Sequence, residues 1–401
     1  LKNIVIISLL TLLINSCNRD DGKLITSPVI ETPAEQNARI EALISSTTIT
    51  TDLIVNTVDQ FGNVLPDVNI TIDNTVYSSG TISRAILEDL TVNGAYAFIT
   101  AEKVGYEKVM KTITPSKNGL TNVELMLLID VPSKTLNATT GGTIALGNTI
   151  LEFPANSIKD ASGNTYTGSV DVNMVYYDPT DTNFAQTQPG TLVGVTETDE
   201  IKALVSEGML TVDLTDGSGY PLNIADNKTV KVTMPASTSG PATIPFWHLN
   251  ETYGIWVEQG AATKVGNTYE YEVSHFSTYN LDWKVNPLDF CVKFKDQNGN
   301  VISNQNGQFT SNNVLNPSFI TDNLGEICFI NGAQGNYTFS IDVGCGLITS
   351  SSSITSSGTH DVIFDLSTVP SLINYNFTGS LYTCNNQLAA NKTFMLRIDD
   401  N

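Results

Sequence analysis

Two stretches of the chain, Asp59-Gln60-Phe61-Gly62-Asn63-Val64 and Asp296-Gln297-Asn298-Gly299-Asn300-Val301, agree at five of six positions and stand 237 residues apart. Each reads as a hairpin closure: Asp opens a turn with its short polar side chain, and Gly supplies the positive φ that lets the next strand begin. Around them short alternating segments recur, such as Leu53-Ile54-Val55, Val68-Asn69-Ile70-Thr71-Ile72 and Tyr96-Ala97-Phe98-Ile99, bounded by Gly, Asn or Asp. Side chains that alternate at period two over four to six residues specify half-buried strands. The expected fold is therefore all-β, with several β-sandwiches in tandem.

Composition agrees. At 401 residues and 41% hydrophobic content the chain can supply cores for two or three domains. Lys and Arg number 20 against 41 Asp and Glu, a net charge of −21, which excludes nucleic acid as a partner because no basic face is available to displace its counterions. Three His, no phosphate-binding loop, no G-x-S-x-G elbow and no zinc-binding His pair leave little material for an enzyme active site, and no cofactor is expected.

At the N-terminus Lys2 precedes the apolar run Ile4 to Ile14, too short to span a bilayer and of the length of a signal-peptide core. It ends in Leu13-Ile14-Asn15-Ser16-Cys17, which resembles the lipobox of bacterial lipoproteins, with Asn15 as a departure. The resemblance implies a signal peptide over residues 1–16 and acylation of Cys17, with several chains giving a stable anchor where one would be marginal. Asn18-Arg19-Asp20-Asp21 resembles the acidic export signal of Bacteroidota surface lipoproteins, implying an outer-membrane protein facing outward. Residues 17–48 read as a flexible tether.

Residues 50–130 and 288–367, through the repeated turn and Gly94-Ala95-Tyr96-Ala97-Phe98 or Gly335-Asn336-Tyr337-Thr338-Phe339, resemble the carboxypeptidase regulatory-like domain, a seven-strand transthyretin-like sandwich. Residues 133–285 differ. Ile150-Leu151-Glu152-Phe153-Pro154-Ala155-Asn156-Ser157-Ile158 is similar to the opening of the sandwich shared by zonula occludens proteins, netrin receptors and ankyrins. Phe246-Trp247-His248-Leu249, Gly254-Ile255-Trp256-Val257-Glu258 and Tyr271-Glu272-Val273-Ser274-His275-Phe276-Ser277 resemble the same region of cartilage intermediate layer proteins. Gly379-Ser380-Leu381-Tyr382-Thr383-Cys384 opens a further unit over 374–401, about two strands long, so the chain reads as a truncated frame.

Four cysteines follow Cys17: Cys291, Cys328, Cys345 and Cys384. In an exported protein they suggest two disulfides with three connectivities open, Cys291 with Cys328 and Cys345 with Cys384 being the favoured one. Chemistry has three further candidates. His275-Phe276-Ser277 is similar to the site at which some zonula-occludens-type sandwiches cut their own chain, His275 activating Ser277 to attack the Phe276 carbonyl; a half-buried closing strand is the plainer reading. Trp247 and Trp256 are candidate sugar-stacking residues or, alternatively, core. Asp213 and Asp216 are the best-placed calcium candidates, or one more hairpin. The expected function is a non-enzymatic surface lipoprotein, a scaffold of sandwiches in line; the alternatives are a glycan-binding accessory of polysaccharide uptake and a self-cleaving module.

Overall fold

The computed structural model describes residues 32–44, 48–93, 96–115, 120–130, 134–311, 314–343 and 346–368. Cys17, Cys345, Cys384 and the expected module over 374–401 lie outside the described residues. Strand dominates throughout, and the all-β expectation holds.

The first and third modules are copies of one topology. In the first, a three-stranded sheet of Arg84–Asn93, Thr48–Asp59 and Leu120–Leu127 faces a four-stranded sheet of Thr75–Ser78, Asn69–Ile72, Ala97–Glu102 and Val109–Ile113. In the third, Glu326–Ala333, Pro287–Asp296 and Gly358–Phe364 face Val314–Ile320, Asn306–Ser311, Gly335–Asp342 and Leu347–Ile354, in the same order. Both three-stranded sheets place a parallel pair beside an antiparallel one: Thr48–Asp59 runs parallel to Leu120–Leu127, and Pro287–Asp296 to Gly358–Phe364. Alternate residues of each strand fill the space between sheets. Leu53, Val55, Ile70, Ile99 and Leu125 do so in the first module, and the rings of Phe290, Phe294, Phe339 and Phe364 in the third. Cys291 and Cys328 lie opposite each other on adjacent antiparallel strands and form the expected disulfide.

The repeated hexapeptide closes its hairpin by a carboxylate. Asp59 Oδ1 accepts from the Phe61 and Asn63 amides at 2.9 Å each, and Asn63 Nδ2 returns to Oδ2 at 3.0 Å. Asp296 does the same with Asn298 and Asn300 at 2.8 Å. Three further turns share the geometry without sharing the sequence: Asp160 takes the amides of Ser162 and Asn164, Asp216 those of Ser218 and Tyr220, and Asp322 those of Leu324 and Glu326. In all five the residue three after the Asp is a Gly with φ between 69° and 84°. These hydrogen bonds hold the Asp59, Asp160 and Asp296 carboxyls below the ordinary carboxylate range.

Between the two copies, thirteen strands from Lys134 to Val285 hydrogen-bond into one continuous sheet that folds back on itself over Leu151, Val172, Val212, Val232 and Tyr279. The strand Ile201–Asp216 is long enough to serve two cores: beyond a bulge between Ser206 and Gly208, Leu210, Val212 and Leu214 enter this one, while Leu204 and Met209 enter a second.

Two expectations are corrected. Part of the tether is a helix, α1 (Pro33–Ile44), docked on the middle module through Ile40, which is fully buried. Thr32-Pro33-Ala34-Glu35 starts it as a capping box: the Glu35 amide meets Thr32 Oγ1 and the Thr32 amide meets Glu35 Oε2 at 2.9 Å, with Pro at the first helical position. Nor are the three sandwiches strung in line, since the first and third both pack on the middle one and touch each other where Asn331 Nδ2 donates to Tyr96 Oη at 2.8 Å.

The first and middle modules join through a sheet edge. The strand Val109–Ile113 is the last of its sheet, yet all five of its residues are buried, because its free edge is taken by the middle module. The Gly190 amide donates to the Met110 carbonyl at 2.7 Å and the Thr112 amide to the Gly190 carbonyl at 3.0 Å. Thr112 Oγ1 donates to the Gly254 carbonyl at 2.7 Å. Met110 packs into the second core beside Leu249 and Trp256. Each hydrogen bond contributes about 1 kcal/mol net and the buried Met roughly 1.5–3 kcal/mol, so apolar burial and the backbone pairing contribute comparably to this junction.

Gly254 is where the fit is tightest. Its φ is +65°, and a Cβ there would lie 2.0 Å from Thr112 Oγ1 and 2.3 Å from Phe98 Cδ2. Gly62 also has positive φ, +79°, but open space around it. Gly254→Ala should destabilise the protein by roughly 2–5 kcal/mol, strain and overpacking together, and Gly62→Ala by only about 1–2 kcal/mol. Denaturant melts of the two variants check this; equal losses would show that the junction is not close-packed.

Candidate functional site at the module junction

Two of the three histidines meet where α1 lands. His248 is buried in the strand Thr243–Asn250, and its ring stands edge-on to His275, with centroids 5.5 Å apart. His248 Nε2–H donates to Gln36 Oε1 of α1 at 3.2 Å. Asn250 Nδ2 donates to the same oxygen at 2.9 Å and to Asn37 Oδ1 at 2.7 Å. Arg39 Nη1 reaches Asp199 at 3.0 Å, and Tyr253 Oη reaches Glu41 at 3.3 Å. Beneath these polar contacts Ile40 packs with Tyr96, Val195, Ile255 and Val257, so the helix caps a point shared by the first and middle modules.

Burial lowers the pKa of His248 to about 3, and the neighbouring His275 adds to the effect; burial lowers that of His275 too. Both rings are therefore neutral in the fold at physiological pH, as buried imidazoles without a carboxylate partner must be.

The His275-Phe276-Ser277 segment does not assemble a cleavage centre. The Phe276 amide donates to Asn223 Oδ1 at 2.9 Å, Tyr279 Oη donates to the His275 carbonyl, and the Ser277 carbonyl accepts from Val212 at 3.4 Å. None of the three residues has positive φ, and no cis peptide occurs among the described residues. The His275 ring is occupied by its contacts with His248 and Tyr279, and no hydrogen bond joins it to the Ser277 hydroxyl. Phe276 is core, stacked obliquely against Phe153.

The other candidates separate. Trp247 and Trp256 have no exposed surface at all and cannot stack on a sugar; they are corrected to core residues, Trp256 Nε1 donating to the Thr191 carbonyl. Asp213 and Asp216 lie three apart on one strand, so they point to opposite faces, and Asp216 is engaged in closing its turn. Calcium therefore has no converging ligand set there. Among the described residues the one group of three His, Cys, Asp or Glu whose ligand atoms converge is Cys291, Glu326 and Cys328, and its two sulfurs are joined to each other.

What sequence reading missed is Lys111, which is 1% exposed. Its Nζ donates to the carbonyls of Ala185 at 2.6 Å and Gln188 at 3.5 Å, at the end of the one-turn helix α2 (Phe184–Thr187). Burial pushes its pKa down to about 7. A lone Lys in a short strand is ordinarily read as solvated, although its period-two neighbours Val109 and Ile113 are core residues of the first module. Asp282 was missed in the same way: it is fully buried, bonded by Asn280 Nδ2, and burial pushes its carboxyl well up.

No protein-family profile matches the chain. Among curated proteins, human cartilage intermediate layer protein 2 is 29% identical over 123 residues, 29% of this chain and 10% of that protein. Human cartilage intermediate layer protein 1 is 29% identical over 138 residues, 31% of this chain and 11% of that protein. The pig protein 1 is 30% identical over 115 residues, covering 27% and 19%. The matches thus span between a tenth and a fifth of the curated relatives' length. Solved structures include the Bacillus anthracis TIE protein, 12% identical over 79% of this chain and 50% of that one, with a TM-score of 0.18. BcpA, the major pilin subunit of Bacillus cereus, is 10% identical over 80% of this chain and 99% of that one, also with a TM-score of 0.18. TM-scores of this size establish no common arrangement. A likeness to cartilage intermediate layer proteins is among the resemblances expected from the sequence.

A lowered His pKa makes stability depend on pH with a fixed sign. Above the unfolded value of about 6.5 both states are neutral; below it the unfolded chain takes up protons that the folded one refuses, and stability falls until the folded pKa is reached. His248→Gln removes that proton uptake while its amide can still meet Gln36. From about pH 7.5 to about pH 4.5, wild type should lose roughly 2 kcal/mol more stability than the variant, read from urea midpoints. Equal losses would show that His248 is not held neutral in the fold.

Proposed function

We propose that the protein is a non-enzymatic cell-surface scaffold, held to the outer membrane by lipid on Cys17, that presents three interlocked β-sandwiches as one rigid body. The observation that carries this reading is the edge-to-edge pairing of Val109–Ile113 with Gly190, which turns two sandwiches into one unit where a flexible hinge would serve a chain of independent binding modules. The docking of α1 points the same way. Residues 18–32 alone lie between Cys17 and the helix, so even a fully extended link holds the body within roughly 50 Å of the acylated residue. A short link and a rigid body suit a structural element at the surface, bearing partners on its loops. Burial of Trp247 and Trp256 removes the observation that favoured glycan binding.

Metabolic labelling with an alkyne fatty acid tests the anchor. The wild-type chain should carry the label and partition into detergent, and Cys17→Ala should be unlabelled and remain in the aqueous phase. An unlabelled wild type overturns the anchoring.

A further inference from the structure

The third module leaves open the sheet edge that the first module has covered. Leu347–Ile354 ends the four-stranded sheet of the third module as Val109–Ile113 ends that of the first. The middle module takes the edge of Val109–Ile113 through Gly190, whereas among the described residues no strand pairs with the outer edge of Leu347–Ile354. Open edges are ordinarily guarded by a charge, a proline or brevity. The other edge strands of the two outer modules carry such guards: Arg84, Glu124, Glu326 and Asp361 supply charge, Thr75–Ser78 is four residues long, and Val314–Ile320 contains Pro317. Leu347–Ile354 has none of these. It is eight residues long, and no Asp, Glu, Lys, Arg or Pro lies between Asp342 and Asp361 in a chain of net charge −21.

The strand also matches itself. Ile348-Thr349-Ser350-Ser351-Ser352-Ser353-Ile354 reads alike in both directions, save that Thr349 answers to Ser353. Its side chains alternate, Leu347, Thr349, Ser351 and Ser353 exposed, Ile348 half-buried and Ile354 in the core. Two copies laid antiparallel about a two-fold axis at Ser351 set Ile348 of each opposite Ile354 of the other on the core side, and Thr349 opposite Ser353 on the outer side. Of the registers that keep the faces matched, this one alone pairs both isoleucines. We infer that Leu347–Ile354 joins two copies of this chain, its open edge pairing with the same edge of the second copy so that two four-stranded sheets become one continuous sheet. A second copy is the occupant because an edge that complements itself about a two-fold axis is what an isologous contact requires, and edge pairing is how this chain already joins its first and middle modules. The uncharged edge lets two strongly acidic bodies approach, and their remaining repulsion makes the contact weaker at low salt. The inference is independent of the anchor on Cys17.

Sedimentation of the unlipidated full chain, Cys17→Ala, tests it. At about 100 μM this protein should form dimers, more completely in about 0.5 M salt than in about 0.05 M. Ser351 is exposed and shares a surface hydrogen bond with Thr338 at 2.9 Å, so Ser351→Lys and Ser351→Glu should melt at the parent temperature. Each puts two like charges directly opposite one another at the axis and should weaken dimerisation at least about tenfold, while an equal mixture of the two should dimerise again. Should the variants fail to fold, hydrogen exchange on the parent decides: the edge-facing amides of Leu347–Ile354 should exchange freely in the dilute monomer and slowly in the dimer. A monomeric parent at that concentration, a dimer that Ser351→Lys leaves intact, or a mixture that stays monomeric overturns the proposal. So does protection of those amides in the dilute monomer, which would mean that another part of the chain holds the edge.

Discussion

The architecture depends on how one sheet edge is closed. An edge strand presents a row of unpaired amides and carbonyls that a protein must cover, charge or bend away. Here Val109–Ile113 is covered by the middle module: Gly190 gives its amide to Met110 and takes that of Thr112, while Met110 crosses into the core that holds Leu249 and Trp256. The approach is close because Gly190 and Gly254 have no side chains and adopt positive φ. Once that edge is fixed, the first module is fixed against the middle one, α1 can bridge them at Ile40 and Tyr96, and Asn331 of the third module finds the Tyr96 hydroxyl.

Much of the fold was legible because its signals are local. Asp followed three residues later by Gly marks hairpins at Asp59 and Asp296, and the same physics closes those at Asp160, where the Asn repeats as well, and at Asp216 and Asp322, where only the Asp and Gly repeat. Comparing whole hexapeptides found two of the five; asking only for the carboxylate and the left-handed Gly would have found all of them. The shared topology of the outer modules and the Cys291–Cys328 pairing were within reach for the same reason, since both follow from strand order and register. α1 was within reach too. Thr32-Pro33-Ala34-Glu35 is a helix start, and Ile40, Leu43 and Ile44 follow at helical spacing, but the surrounding Ser, Thr and Pro pointed to a tether.

The candidate site was much less legible, because burial is a property of neighbours and not of residues. Trp247 and Trp256 have the composition of a sugar platform and the environment of a core. His275-Phe276-Ser277 has the letters of a cleavage motif, but its carbonyls and amides are engaged as those of a strand entry are, by Tyr279, Asn223 and Val212. Lys111 shows the opposite error. It sits on a strand edge where a solvated lysine is the usual guard against aggregation, and only the approach of a second module makes it an interior charge.

The central claim is that the three sandwiches unfold as one body because their cores and sheet edges are shared. Scanning calorimetry of the intact protein, disulfide oxidised, tests it most directly. The account predicts a single transition whose calorimetric enthalpy matches its van't Hoff enthalpy. Two or three separable transitions, the first module melting apart from the middle one, would contradict it.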